Sequence, residues 1–319
     1  MLSSNRQAGL GAPALNGAFL VPRLVGCEVF RHTLLMPRIH ANNIDIEYET
    51  FGSTDGVPML IVNGFTSQLT GIEVGLCEAF AAAGRYVIRY DNRDVGKSTW
   101  FDGIEPSTTP YSISDMAADG MGLIRALGIE SAHIFGMSMG GMLVQRMAIN
   151  HPTQVRSLTS VMSNTGNRAF GAATSEAMTA LLRPSSEDRE TYIEQSAHDR
   201  AIWSSKKFFD LNWEKQRLAR DRDRAFHPDG NARQYAAIMA EGPREEALAQ
   251  LNVPTLVLHG LDDTLITPSG GERTADLVPG STLVLVKDMG HDLPRELWPF
   301  YVGLVSGHQN RAELLWATS

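Results

Sequence analysis

Only two cysteines, Cys27 and Cys77, occur in the 319 residues. Two thiols cannot make a disulfide framework, so the chain must be held by a buried core, and such cysteine usage fits a reducing compartment. A cytoplasmic location is therefore expected. No Cys-x-x-Cys or His-Glu-x-x-His spacing appears and the nine histidines are scattered, so neither a metal centre nor another cofactor is expected. No apolar run approaches the roughly 18 residues that span a bilayer, which excludes stable membrane insertion by a helix. An excess of positive charge is also missing. The 28 Lys and Arg are outnumbered by 36 Asp and Glu, giving a net charge of -8. A nucleic-acid partner demands a basic surface and is not expected. There is no internal repeat and no low-complexity segment, and nothing in the composition speaks to oligomeric state.

What is present is a composition able to bury a large core, with 43% hydrophobic residues. Residues 1–36 show no regular period and read as a disordered N-terminal extension. Within them, Leu24-Val25-Gly26-Cys27 looks like a lipoprotein cleavage box, which makes an anchor at Cys27 the minor alternative to a cytoplasmic protein. Pro22 and Arg23 before the box, and the Gly, Ala and Asn around it, argue against that alternative.

From Arg38 a rhythm begins. Ile44, Ile46 and Tyr48 alternate with polar residues as in a half-buried strand. Val57 to Val62 is a short apolar run, the mark of a strand covered on both faces. A helix is predicted over 72–83, a strand over 85–90, and a helix capped by Ser114 whose Met116, Leu123, Ile124 and Leu127 share a face. Strand His133–Phe135, a helix running to about Asn150 and strand Val155–Met162 follow. This alternation predicts a parallel sheet with helices on both faces. It breaks over 164–250, a charged, helix-rich stretch with Trp203, Phe208, Phe209 and Trp213 clustered together. That stretch reads as an inserted helical cap. The Arg/Asp alternation from Arg217 to Arg224 within it reads as a solvated helix face. Strands return at 254–259 and 282–286, and a last helix is predicted from about Pro294. The core is thus 37–163 and 251–319.

Gly136-Met137-Ser138-Met139-Gly140 stands between a strand and a helix. Glycines on both sides allow a turn sharp enough to lift the Ser138 hydroxyl above the sheet, at a helix start that favours negative charge. A serine hydroxyl needs a base to become a nucleophile. His291, in Met289-Gly290-His291-Asp292 after the last strand, is the best placed of the histidines. His133 lies inside a strand, His259 reads as structural, and the rest fall outside the sheet's loops. An imidazole acting as base needs a carboxylate to fix its tautomer. Asp262 and Asp263, after His259-Gly260-Leu261, are both available. An oxyanion needs two N–H donors, and those of Phe65, after Asn63-Gly64, and Met139, after the serine, are the candidates.

Taken together, Asn63-Gly64-Phe65, Asp91 to Ser98, Gly136 to Gly140, His259 to Asp263 and Gly290-His291 resemble the α/β-hydrolase superfamily over about residues 38–307. Arg89 to Ser98, Met139 to Met142 and Ser160 to Ser163 resemble the branch that contains aclacinomycin methylesterase and related esterases. The resemblance implies a mostly parallel eight-stranded sheet with helices on both faces and a helical cap. It favours Asp263, the third residue after Gly260, as the acid. It implies hydrolysis of a carboxylic ester without a cofactor. The superfamily commonly has His-Gly at the oxyanion loop. Asn63-Gly64 departs from this, so the bonds that brace the loop must differ. Asp91, Arg93 and Ser98 are read as bracing the turn that contains them.

The expectation is a serine esterase acting on small to medium apolar esters, with Phe65, Met142, Trp203, Phe208 and Trp213 as candidate pocket residues. The plainer reading of the cap aromatics is that they form the cap's own small core. Another reaction on the same triad (C–C bond or amide hydrolysis, lactone opening, perhydrolysis) is the alternative, and a non-catalytic binding protein is the third reading.

Overall fold

The computed structural model describes residues 37–105 and 108–317. The expectations for residues 1–36, including the Cys27 box, lie outside the described residues.

The first two strands, β1 (Arg38–Ala41) and β2 (Ile44–Phe51), form an antiparallel hairpin. Asn42 and Asn43 join them, both with positive φ (51° and 63°). Asn tolerates that region, and a two-residue turn of this hand matches the twist of paired strands. Next come β3 (Val57–Val62), α1 (Val74–Ala82), β4 (Arg85–Tyr90) and α2 (Ile113–Ala126), then β5 (Ala132–Met137), α3 (Met139–Asn150) and β6 (Val155–Val161). Five helices follow before the sheet resumes: α4 (Ser175–Leu181), α5 (Arg189–Trp203), α6 (Leu211–Arg224), α7 (Pro228–Ala240) and the short α8 (Glu245–Leu248). The chain ends with β7 (Thr255–Gly260), α9 (Ser269–Leu277), β8 (Thr282–Val286) and α10 (Trp298–Trp316). None of the described helices is long and apolar enough to cross a membrane.

The sheet has eight strands in the order β1-β2-β4-β3-β5-β6-β7-β8, antiparallel over the first two pairings and parallel thereafter. The apolar runs explain the layering. In β3, Met59, Leu60, Ile61 and Val62 are all fully buried, because strand side chains alternate between two covered faces. Leu60 and Val62 pack with α2 and α3, while Met59 and Ile61 pack with Phe80 of α1 and Tyr301 and Val305 of α10.

Strand order also places the site. From β3 the chain moves to β4 on one side, then crosses to β5 on the other. Loops leaving the carboxyl ends of β3 and β5 therefore diverge and leave a crevice, which is where open α/β sheets bind ligands. Asn63-Gly64-Phe65 leaves β3 and Ser138 leaves β5.

Two readings need correction. Ser112, not Ser114, caps α2: its hydroxyl accepts the Asp115 N–H at 3.1 Å while the Asp115 carboxylate accepts the Ser112 N–H at 2.8 Å. The capping box outcompetes a lone serine two residues too late. The Arg/Asp run of α6 is a solvated face only in part: Arg220 and Asp223 are exposed, but the rest turns inward. Arg217 bonds Glu214 and Asp221 within α6, and Arg224 lies 2.8 Å from Asp91 and 3.6 Å from Glu47, both buried in the core. Gln68 donates to the carbonyls of Asp221 (2.6 Å) and Ala225 (2.9 Å), closing the end of the helix against the core. Next to this seam, Arg233 of α7 makes two bonds to the buried Asp94, at 2.8 and 2.9 Å.

Candidate active site

Ser138 sits between β5 and α3 with φ 55° and ψ -121°, a conformation rare for a residue with a side chain. The turn tolerates no bulk. A Cβ on Gly140 would lie 2.1 Å from the Val62 carbonyl oxygen, so only glycine lets α3 start this close to β3. The Ser163 hydroxyl holds the elbow from the other side by donating to the Ser138 carbonyl at 2.8 Å. Across the crevice, Gly64 lies so near that a Cβ there would stand 3.6 Å from Ser138 Oγ.

The candidate carboxylate and imidazole come from neighbouring strands. β7 and β8 are paired, and the loops beyond them stay together: Leu261 N–H donates to the Val286 carbonyl (2.9 Å) and Asp262 N–H to that of Met289 (3.0 Å). This brings His291 Nδ1 to 2.7 Å from Asp263 Oδ2. Asp263 is the carboxylate that His291 meets; the neighbouring Asp262 points its N–H, not its carboxyl, into this arrangement. Asp263 Oδ1 accepts the N–H groups of Leu265 and Ile266, both at 2.9 Å. Burial alone would push the Asp263 carboxyl up, but His291 beside it and bonds from His259 and His291 outweigh burial and hold it below the usual range. An ionised Asp263 requires the proton of His291 on Nδ1, which leaves Nε2 as the acceptor.

His259 is fully buried and donates from Nε2 to the Ile266 carbonyl at 2.7 Å, the same nitrogen lying 3.5 Å from Asp263 Oδ2. Its placement against Asp263 was not visible in the sequence.

The loop after β3, Asn63-Gly64-Phe65, is braced from within the core. Asn63 is fully buried and donates to the Gln68 carbonyl at 2.9 Å, and Asn92 donates to the Asn63 carbonyl at 3.2 Å. Asp91 accepts the N–H groups of Leu69 (2.6 Å) and Lys97 (2.8 Å), Ser98 links Asp91 to Glu47, and Arg93 bonds Asp119 twice. These are the bracing roles the sequence suggested. Among the described residues, neither the Phe65 nor the Met139 N–H meets an acceptor.

One cavity of about 1540 Å³ collects the candidates: Phe65, Ser138, Met139, Met142, Trp203, Phe208, Trp213 and His291 all line it, with Asp263 buried behind His291. Trp203 serves both roles considered for the cap aromatics, since it also packs on Ala177 and Ala180 of α4. Trp213 is held at the wall by Arg295, whose guanidinium lies 3.4 Å from the ring centroid, and by Glu73, which accepts from its indole at 3.2 Å. Glu73, Tyr235, Asp292 and Arg295 also line the cavity and were missed. For Asp292 and Arg295 a signal existed, since both stand within four residues of His291. Among the described residues no cluster could hold a metal ion.

The comparisons agree with this architecture. Rhodomycin D methylesterase DauP of Streptomyces sp. (strain C5) is 25% identical, over 86% of this chain and 98% of that protein. The 3-oxoadipate enol-lactonase 2 of Acinetobacter baylyi is 27% identical, over 77% of this chain and 86% of its own length. Among solved structures, the enol-lactonase from Burkholderia xenovorans LB400 superposes with a TM-score of 0.70 at 22% identity, covering 86% of this chain and all of that one. Residues 57–294 match the alpha/beta hydrolase fold model, and the chain belongs to that family as an enzyme, an esterase or related hydrolase.

Proposed function

We propose that the protein is a serine hydrolase that cleaves carboxylic esters through an acyl-enzyme, with Ser138 as nucleophile, His291 as base and Asp263 as the acid that orients it. The observation that carries this reading is the 2.7 Å bond from His291 to Asp263 in a loop pair that lines the same cavity as a strained Ser138. His291 Nε2 takes the Ser138 proton as Oγ attacks the ester carbonyl, then returns it to the leaving alcohol. Water repeats the sequence on the acyl-enzyme. The N–H groups of Phe65 and Met139 stabilise the oxyanion, aided by the start of α3. Asp263 stays ionised and stabilises the imidazolium.

The helices of 164–250 act as a cap on a core of 37–163 and 251–319. Some of the charged groups facing the cavity are paired with one another: Arg295 with Glu73, Arg183 with Asp199, Arg217 with Glu214. Phe65, Met142, Trp203, Phe208 and Trp213 add apolar wall, and we favour an uncharged ester as substrate. The cavity volume exceeds the roughly 300–1,000 Å³ of ordinary small-ligand sites, so esters of small to medium size fit within it. Two cysteines, with Cys77 buried, favour the cytoplasm.

Lactone opening is the second reading, favoured by the relative named an enol-lactonase. The test is fluorophosphonate labelling of the wild type beside Ser138→Ala, with p-nitrophenyl butyrate and a small lactone assayed in parallel. Labelling lost in Ser138→Ala, together with ester turnover, is expected. Labelling with lactone turnover alone would favour the second reading. An unlabelled wild type would sink both.

A further inference from the structure

The end of α5 touches both loops that carry the acid and the base. The Ile202 carbonyl accepts the Thr264 hydroxyl at 3.0 Å, one residue beyond Asp263. The Trp203 carbonyl accepts the backbone N–H of His291 itself, at 2.6 Å. The Ser205 N–H donates to Asp292 Oδ1 at 3.0 Å, and the Ser205 hydroxyl donates to the Asp288 carbonyl at 2.6 Å. Asp292 Oδ1 turns back as well, accepting the Gly290 N–H at 3.2 Å, so one carboxylate oxygen joins the cap to the residues on both sides of His291. The approach leaves no slack: a Cβ on Gly290 would stand 2.3 Å from the Trp203 carbonyl oxygen.

We infer that the cap segment Ile202 to Ser205 sets the position of the acid and base loops, and that Asp292 is the positioning residue that fastens His291 to that segment. The inference rests on His291 being the base. Three features carry it. The bonds fall on the backbone of the base and its neighbours, where they fix the imidazole's point of attachment. They come from an inserted segment that the sheet does not require. Trp203 lines the cavity while its carbonyl holds His291, so one residue both borders the substrate space and anchors the base. A substrate pressing on the cap wall thus acts on a segment bonded to the base. A misplacement of about 1 Å at a reacting group costs on the order of a hundredfold in rate.

The experiment compares Asp292→Ala and Asp292→Asn with the wild type. The readouts are kcat and KM for p-nitrophenyl butyrate per fluorophosphonate-titrated site, the rate constant of that labelling, and the thermal midpoint. Asp292→Ala is expected to lower kcat and the labelling rate constant ten- to a hundredfold, with KM changed less than threefold. Asn keeps a carbonyl oxygen where Oδ1 accepts, so Asp292→Asn is expected to regain most of the loss. A purely structural role would lower the thermal midpoint and leave the rate per titrated site unchanged. Folded Asp292→Ala that labels at the wild-type rate would overturn the inference, as would Asp292→Asn as slow as the alanine variant. If Asp292→Ala does not fold, Ser205→Ala takes its place: a threefold or larger fall in kcat at constant KM supports the inference, and an unchanged kcat overturns it. A wild type that does not label overturns the hydrolase reading, and this inference with it.

Discussion

Arg233→Met should be among the most damaging single changes outside the proposed triad. Asp94 is fully buried and accepts four bonds: two from Arg233, one from the Tyr111 hydroxyl at 2.7 Å and one from the Phe101 N–H at 2.8 Å. Burial alone would raise its carboxyl, but Arg233, Phe101 and Tyr111 outweigh that and hold it below the ordinary value. Without the guanidinium, a buried carboxylate keeps two neutral donors and the His227 imidazole 3.4 Å away, but no guanidinium countercharge, a situation that typically costs about 3–5 kcal/mol. Protonation sets a ceiling. Neutralising an ordinary aspartate at pH 7 takes about 4 kcal/mol, at about 1.4 kcal/mol for each pH unit above its pKa. The expected loss is therefore about 3–4 kcal/mol. Asp94→Asn, which tolerates the φ of 63° found there, removes the charge and keeps an acceptor, and should cost less. The double variant should be more stable than the sum of the singles by at least about 1–2 kcal/mol, because the stranded charge is gone. Urea unfolding followed by tryptophan fluorescence measures all four proteins. Arg233→Met within about 1 kcal/mol of wild type, or strictly additive singles, would refute the reasoning. Activity should respond as well. Gln234, next along α7, accepts the Thr66 N–H beside the oxyanion loop, and Tyr235 lines the cavity, so KM should rise in Arg233→Met.

Other outcomes follow from single contacts. Asp263→Asn preserves shape but removes the charge that fixes the His291 tautomer; kcat should fall about 10³- to 10⁴-fold with little change in KM, and a loss under tenfold would remove Asp263 from its role. Gly140→Ala places a methyl group 2.1 Å from the Val62 carbonyl oxygen and should cost more than about 3 kcal/mol or prevent folding; near-native stability in a melt would show that the elbow can yield. Burial pushes the Asp292 carboxyl from 3.8 up to about 6, so the folded state holds this proton more tightly than the unfolded chain does. Wild-type stability from this group is full below about pH 4 and declines as pH rises through about 6. Asp292→Asn, which cannot ionise, should therefore be the more stable protein at pH 8, by on the order of 2–3 kcal/mol, and the advantage should vanish at pH 4. Equal thermal shifts at both pH values would contradict it.

The parallel sheet and the elbow were legible in the sequence because their signals are local. Val57 to Val62 and Thr282 to Val286 are short apolar runs with turn residues at both ends, and the observed strands share those limits. Ser138 was legible because two glycines must flank so tight a turn. Asp263 was chosen over Asp262 by resemblance alone, since adjacent residues share a loop and only the fold decides which carboxylate meets the imidazole. β1 went unread because four residues carry little periodicity, although Asn42-Asn43 marked its turn. The inward half of the charged run of α6 was not legible, because alternation describes an isolated helix and says nothing of what packs on it. Glu47, Asp91 and Gln68, which engage that helix, lie more than 130 residues upstream. The link from Asp292 to Ser205 spans 87 residues and was out of reach for the same reason.

The seam between the sheet and the helices proposed as a cap bears on how such a protein can be recombined. Beneath those helices Glu47, Asp91 and Asp94 lie as buried acids, and Arg224 and Arg233 answer them. Directional charges make the two parts a matched set. A cap grafted from a relative would strand three carboxylates unless it brought arginines at the same places. Chimeras aimed at new substrates should therefore exchange α4 and the first turns of α5, and keep α6 and α7 with the core that neutralises them.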